Sequence, residues 1–144
     1  MHRSKIVGIG LFLIISSCTT YTIPIESFRN QMMKATSKNV TEVEINNPLL
    51  SKTIKYLSNN IDKLIVTDKN GNRAYLHNSP SIEMRITHSN GKKYLFYFDT
   101  VILENNTLKG GRSRFSKNLT RAIPIDSIVK IEIQNSGKNF KYLN

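Results

Sequence analysis

Cysteine is nearly absent from this chain: Cys18 is the one thiol in 144 residues. No internal disulfide can form, so the fold must hold together by burying apolar surface. Acids are scarce as well, 10 against 21 Lys and Arg. The one carboxylate pair on a strand pattern, Glu42 with Glu44, has the i, i+2 spacing of a strand's solvated side. Of the three histidines, His2 sits at the start of the chain, and His77 and His88 fall at expected strand ends. None has the two or three further ligands that zinc needs at close spacing, and there is no H-x-x-x-H, H-E-x-x-H or C-x-x-C. A nucleophile elbow, a Walker-type phosphate loop and a dinucleotide fingerprint are also missing. Asp68-Lys69-Asn70-Gly71 is a poor calcium loop, because Gly71 comes at the fourth place, not the sixth, and Ser79 stands where a bidentate Glu belongs. The expectation is therefore no catalytic residue, no metal and no cofactor.

What is there begins with a short apolar run at residues 6–15, behind His2, Arg3 and Lys5. A basic start followed by an uncharged stretch is the plan of a signal peptide. As a helix it would extend roughly 15 Å, about half of a ~30 Å hydrocarbon core, too little for a permanent span. Ile15-Ser16-Ser17-Cys18 follows. This aliphatic residue, two small residues and a cysteine resemble the lipobox of bacterial lipoproteins, with Ile15 and Ser17 where Leu and Gly or Ala are commonest. The resemblance covers residues 1–18. It implies a signal peptide over 1–17, a diacylglyceryl thioether on Cys18, which supplies the nucleophilic sulfur, and acylation of the new N-terminus. Two or three acyl chains, at about 0.8 kcal/mol per buried methylene, anchor a protein stably. Thr19 and Thr20, not Asp, come next, which by likeness to lipoprotein sorting implies the outer membrane of a cell envelope, facing the periplasm. Behind the leader the expected layout is a lipidated tether with a short helix over 18–35 and one β-rich globular domain over 36–144.

The formal charge is +11, of which Arg3 and Lys5 leave with the leader, so the mature part carries about +9. In an envelope the partners that suit such a charge are anionic lipid, lipopolysaccharide phosphates, wall polymers or an envelope protein, and not nucleic acid. The other reading is that the excess lysine is solvated and reflects a biased composition. With 39% hydrophobic and 22% charged residues, the chain can build a packed core.

Along the mature chain a short helix is expected over 25–35 and an alternating strand over 40–45. Asn47 as N-cap, Pro48 at the first helical position and the stripe Leu50, Ile54, Leu57, Ile61 predict an amphipathic helix over about 48–60. Strands 63–67 and 72–76 flank Asn70-Gly71, a tight hairpin turn; strands 82–88 and 93–103 flank Asn90-Gly91. Pro124 breaks the stretch 122–128 into a 3₁₀ turn before a strand over 129–134 and a closing segment over 140–143. This succession resembles small SH3-like or Sm-like barrels over about 82–143, a generic likeness that carries no functional residue with it. The expected class is α+β: mainly antiparallel β, a small barrel or an open curled sheet, with the 48–60 helix packed on it. A faint echo at an offset of 67 pairs residues 61–76 with 128–143, as duplication or as two hairpins of similar construction.

Between Lys109 and Arg121 lie five basic residues and no acid: Lys109, Arg112, Arg114, Lys117 and Arg121, with Phe115 among them. Arginine grips phosphate or carboxylate through a planar fork, and Gly110-Gly111 would let backbone approach a ligand. The segment is thus either an anion- or partner-binding site or a solvated face. The expected function is a small non-catalytic, lipid-anchored envelope protein that binds a partner protein or an anionic envelope component. The alternatives are a small periplasmic enzyme using His77, His88 and the acids, and a structural subunit joined by an exposed sheet edge.

Overall fold

The computed structural model of the chain describes residues 19–111, 114 and 120–143. The leader, Cys18, Arg112, Phe115 and Lys117 lie outside the described residues. In chain order the elements are β1 (Thr20–Thr22), α1 (Ile25–Gln31), a 3₁₀ turn at Ser37–Asn39, β2 (Thr41–Ile45), β3 (Ile54–Ser58), β4 (Lys63–Thr67), β5 (Arg73–His77), β6 (Ile82–His88), β7 (Lys93–Tyr97), another such turn at Phe98–Thr100, β8 (Ile102–Glu104), β9 (Thr107–Gly111), β10 (Thr120–Pro124), a further one at Ile125–Ser127, and β11 (Ile128–Asn135). The class is α+β and mainly antiparallel. One sheet has the strand order β5-β4-β1-β11-β6-β7, a second β10-β9-β8, and β2 pairs with β3 alone.

Period-two alternation explains the large sheet. Leu64 and Val66, Met84 and Ile86, Phe96, and Ile131 and Ile133 all point to one face and are buried, while the residues between them meet solvent or a second layer. Onto that face pack Leu108 and Ile123 from the smaller sheet and Phe28 and Met32 from α1 and the turn after it. The sheet is open: no described strand pairs with the outer edges of β5 and β7. A closed barrel over 82–143 does not form, because the strand expected over 93–103 breaks at Phe98 and its second half enters the other sheet. No helix among the described residues is long and apolar enough to cross a membrane.

Two further expectations are corrected. The helix over 48–60 is a turn followed by β3. Asn47 accepts hydrogen bonds from the Leu49 amide on its side chain (3.1 Å) and from the Leu50 amide on its carbonyl (3.3 Å). A helix start and a single closed turn open with the same bonds, and here pairing takes over: Ile45↔Ile54, Val43↔Tyr56 and Thr41↔Ser58 line the inner side of the hairpin. Leu50 and Leu57, placed on a buried stripe by helical spacing, are 63% and 59% exposed. The tether expected over 18–35 is instead part of the domain from Thr20 onward. Strand β1 lies between β4 and β11, and Phe28, Met32 and Ala35 are buried. Since β1 and β4 share only the pair Thr22↔Thr67, the backbone of Ile65, paired with Tyr75 of β5 on one side, lacks a strand on the β1 side. The Gln31 side-chain amide fills that place, accepting from Ile65 N–H at 2.7 Å and donating to its carbonyl at 2.9 Å.

The two Asn-Gly hairpins form as expected, with Gly71 and Gly91 at φ of 81° and 85°. The echo is not a repeated hairpin: β4 turns back into β5, whereas β11 pairs with β1 and β6, and the described segment after it forms no strand with β11, its β-bridge being Ile45↔Tyr142. Gly110 faces the core. A methyl group built on it would stand 2.9 Å from the Phe96 ring and 3.0 Å from Val101, so β9 packs against these side chains with no room for a larger residue. We expect Gly110→Ala to cost about 1–3 kcal/mol by overpacking, read as a lowered urea midpoint with an unchanged slope.

Candidate functional site

The break that ends β7 places an acid where an alternating strand would have shown it to water. Asp99 is fully buried. Asn59 holds the turn around it, with its amide donating to the Asp99 carbonyl (2.7 Å) and its side-chain nitrogen to the carbonyls of Phe98 and Val101 (both 2.8 Å). Thr100 donates to the Tyr97 carbonyl (2.7 Å) and accepts from the Gly111 amide (3.0 Å), tying the turn to the end of β9.

Arg114 reaches this turn from the connection between β9 and β10. Its Nη2 donates to Asp99 Oδ1 at 2.9 Å and to the Pro80 carbonyl, and its side chain is 1% exposed. The other carboxylate oxygen, Oδ2, accepts from the hydroxyls of Tyr142 (2.8 Å) and Tyr56. Aromatic rings close over the guanidinium, its carbon 3.7 Å from the Tyr97 ring centre, 5.1 Å from Phe140 and 5.2 Å from Tyr56. Nε and Nη1 are buried with no polar partner among the described residues, and the desolvated rings provide the compensating cation–π attraction. Lys138 also contacts Tyr97, at its hydroxyl (3.2 Å), and the buried Glu83 (3.1 Å). The Tyr97 contact first, and Glu83 with it, raise the Lys138 pKa.

Burial, then the charge of Asp99, pushes the Tyr56 and Tyr142 hydroxyls above the ordinary phenol range. They are fixed donors and not bases. The cluster joins five stretches distant in sequence: β3, the loop before β6, the 98–100 turn, the β9–β10 connection and the C-terminal segment. Chemically it is a clamp: its one carboxylate is saturated by three donors and closed to solvent.

The predicted basic residues separate accordingly. Arg114 points inward, bound through Nη2 to Asp99 and Pro80 and closed off from solvent, so it is not presented at the surface. Lys109 lies 3.6 Å from Glu104, whose carboxyl is held below the usual carboxylate range by the Ser37 hydroxyl and amide and then by Lys109. Arg121 is exposed, with its guanidinium 5.2 Å from the Tyr94 ring centre. Arg112 and Lys117 fall outside the described residues, as does Cys18. The histidines do not come together: β4, β1 and β11 separate β5 with His77 from β6 with His88. His88 Nδ1 accepts from the Asn90 amide at 3.0 Å and so shapes a hairpin turn. Glu42 and Glu44 share the outer face of the β2–β3 hairpin, opposite Leu57 and Lys55. Among the described residues no three His, Cys, Asp or Glu side chains converge on a metal-sized site.

Sequence reasoning missed Asp99, Asn59, Tyr56 and Tyr142. The available signal was that Asp99 is the one acid in the otherwise apolar and aromatic stretch 94–103. Compared with protein-family models, curated proteins and solved structures, the chain matches none of them, so its function has to be read from its own geometry.

Proposed function

We propose that this protein is a small, non-catalytic, lipid-anchored component of a bacterial envelope, held through Cys18, whose basic β9–β10 connection meets an anionic envelope component. One observation carries the reading. Arg114 pins that connection to Pro80, while Thr19, the residue after Cys18, lines a cavity with Pro80's neighbour Ser79 and with Ile82 and Asn135. Arg114, within the basic connection, and Thr19, next to the proposed anchor, therefore lie toward the same end of the molecule. In this reading Arg114 is the strut, and Arg112, Lys117 and Arg121 are the contact residues.

Each basic side chain at an anionic surface contributes about 1 kcal/mol, so losing two weakens binding roughly 30-fold. Arg112→Glu with Lys117→Glu is expected to reduce binding to anionic vesicles or wall fragments at low salt by at least that factor, measured by co-sedimentation. Unchanged binding would remove the electrostatic part. Intact mass of membrane-extracted protein tests the anchor: acyl mass on a chain starting at Cys18 supports it, and a chain retaining Met1 refutes it.

A further inference from the structure

The β2–β3 hairpin ends in a tip that no part of the described fold covers. Leu49 and Leu50 are 89% and 63% exposed, behind an exposed Pro48. Adjacent leucines at a turn are unusual, since turns favour polar residues and a soluble protein has no use for two large apolar side chains in water at a protrusion. Residues 46–53 contain Lys52 and no acid. The exposed Lys141 adjoins the base of the tip, its amide donating to Asn46 Oδ1 at 2.6 Å and its carbonyl accepting from Asn46 N–H at 3.2 Å. The tip is thus apolar at its end, with Lys52 within it and Lys141 beside its base, and the one acid reaching it, Glu44, accepts from the Thr53 hydroxyl.

Its position is fixed by the C-terminal segment. Asn46 also donates to the Asn139 carbonyl at 2.7 Å, and the Ser81 hydroxyl donates to the Lys138 carbonyl at 2.7 Å. Asn139 is four residues beyond Asn135, which lines the same cavity as Thr19. At most ~14 Å of extended chain separates those two asparagines. The tip thus belongs to the end of the molecule where the chain enters from Cys18 and where Arg114 meets Pro80.

We propose that Leu49 and Leu50 insert into the interface of an anionic lipid bilayer beside the anchor, so that the domain is docked on the membrane by a second contact and does not hang from its lipid. This rests on the reading of Cys18 as the anchor and names the bilayer itself as the surface met. The apolar pair sits at the acyl boundary, where its burial is favourable, while Lys52 and Lys141 lie at headgroup level.

The chain contains no tryptophan, so one introduced indole reports alone. Leu50→Trp would be made in the protein extracted from membranes and reconstituted into vesicles of phosphatidylcholine and phosphatidylglycerol. Val129→Trp, at an exposed position on the far end of β11, serves as the control. The proposal expects Leu50→Trp emission to shift to the blue and to lose most of its intensity when the acyl chains carry bromine, with the control unaffected. An unshifted, unquenched Leu50→Trp overturns it. So does a blue shift without bromine quenching, which means that protein, either the leader or a second copy, covers the leucines. Quenching of both positions overturns the specific docking. Intact mass on the same sample separates the two ideas: protein without acyl mass defeats the anchor, whereas acylated protein with a water-exposed indole defeats only the docking.

Discussion

Asp99→Ala is expected to destabilise the fold by about 3–5 kcal/mol, because it leaves the Arg114 guanidinium buried without its counter-charge. Two phenols, on Tyr56 and Tyr142, lose their acceptor in the same step. Typical domains have a total stability of about 5–15 kcal/mol, so the variant sits near the edge of folding, with a melting temperature lower by on the order of 10–20 °C. Breaking the pair differs from replacing it. Asp99→Leu combined with Arg114→Met exchanges the ions for apolar groups and is expected to recover much of the loss, since the penalty lies in the uncompensated charge more than in the missing attraction. Thermal unfolding of the single and double variants by circular dichroism decides the matter. A single-variant loss under about 1 kcal/mol would mean that the clamp is a weak, hydrated contact.

Phe28→Ala is expected to cost about 3–5 kcal/mol in urea unfolding, the range for removing a buried aromatic ring from a core that cannot collapse. Phe28 is fully buried and belongs to the same cluster as Met84, Phe96 and Ile131. The experiment separates two pictures of residues 20–35. A detachable tether would tolerate the change with well under 1 kcal/mol of loss, while a segment that supplies part of the core cannot.

The parts of the fold legible in the sequence are those fixed by neighbours along the chain. Asn70-Gly71 and Asn90-Gly91 set two hairpins because a left-handed backbone is cheap at glycine, and Pro124 marked the 3₁₀ turn before β11. The stretch after Asn47 was not legible, since an asparagine followed by proline starts a helix or closes a lone turn with the same hydrogen bonds. The choice between them is made by β2, whose alternating Val43 and Ile45 need Tyr56 and Ile54 opposite. The clamp was still less visible. Asp99 meets Arg114 across 15 positions and the two tyrosines across 43 each, and nothing in a local pattern encodes such distances. For the same reason Arg114 looked like part of a basic ligand site, when its charge is answered inside the molecule.

The middle of the large sheet has an implication for timing. Strand β11, at Ile128–Asn135, is flanked by β1 from the beginning of the described chain and by β6. Until it is synthesised and inserted, β5-β4-β1 and β6-β7 are two partial sheets with their hydrophobic faces unsealed. Pairings so distant in sequence form slowly. The large sheet therefore closes only once its last strand is available, which makes that closure a late step in folding.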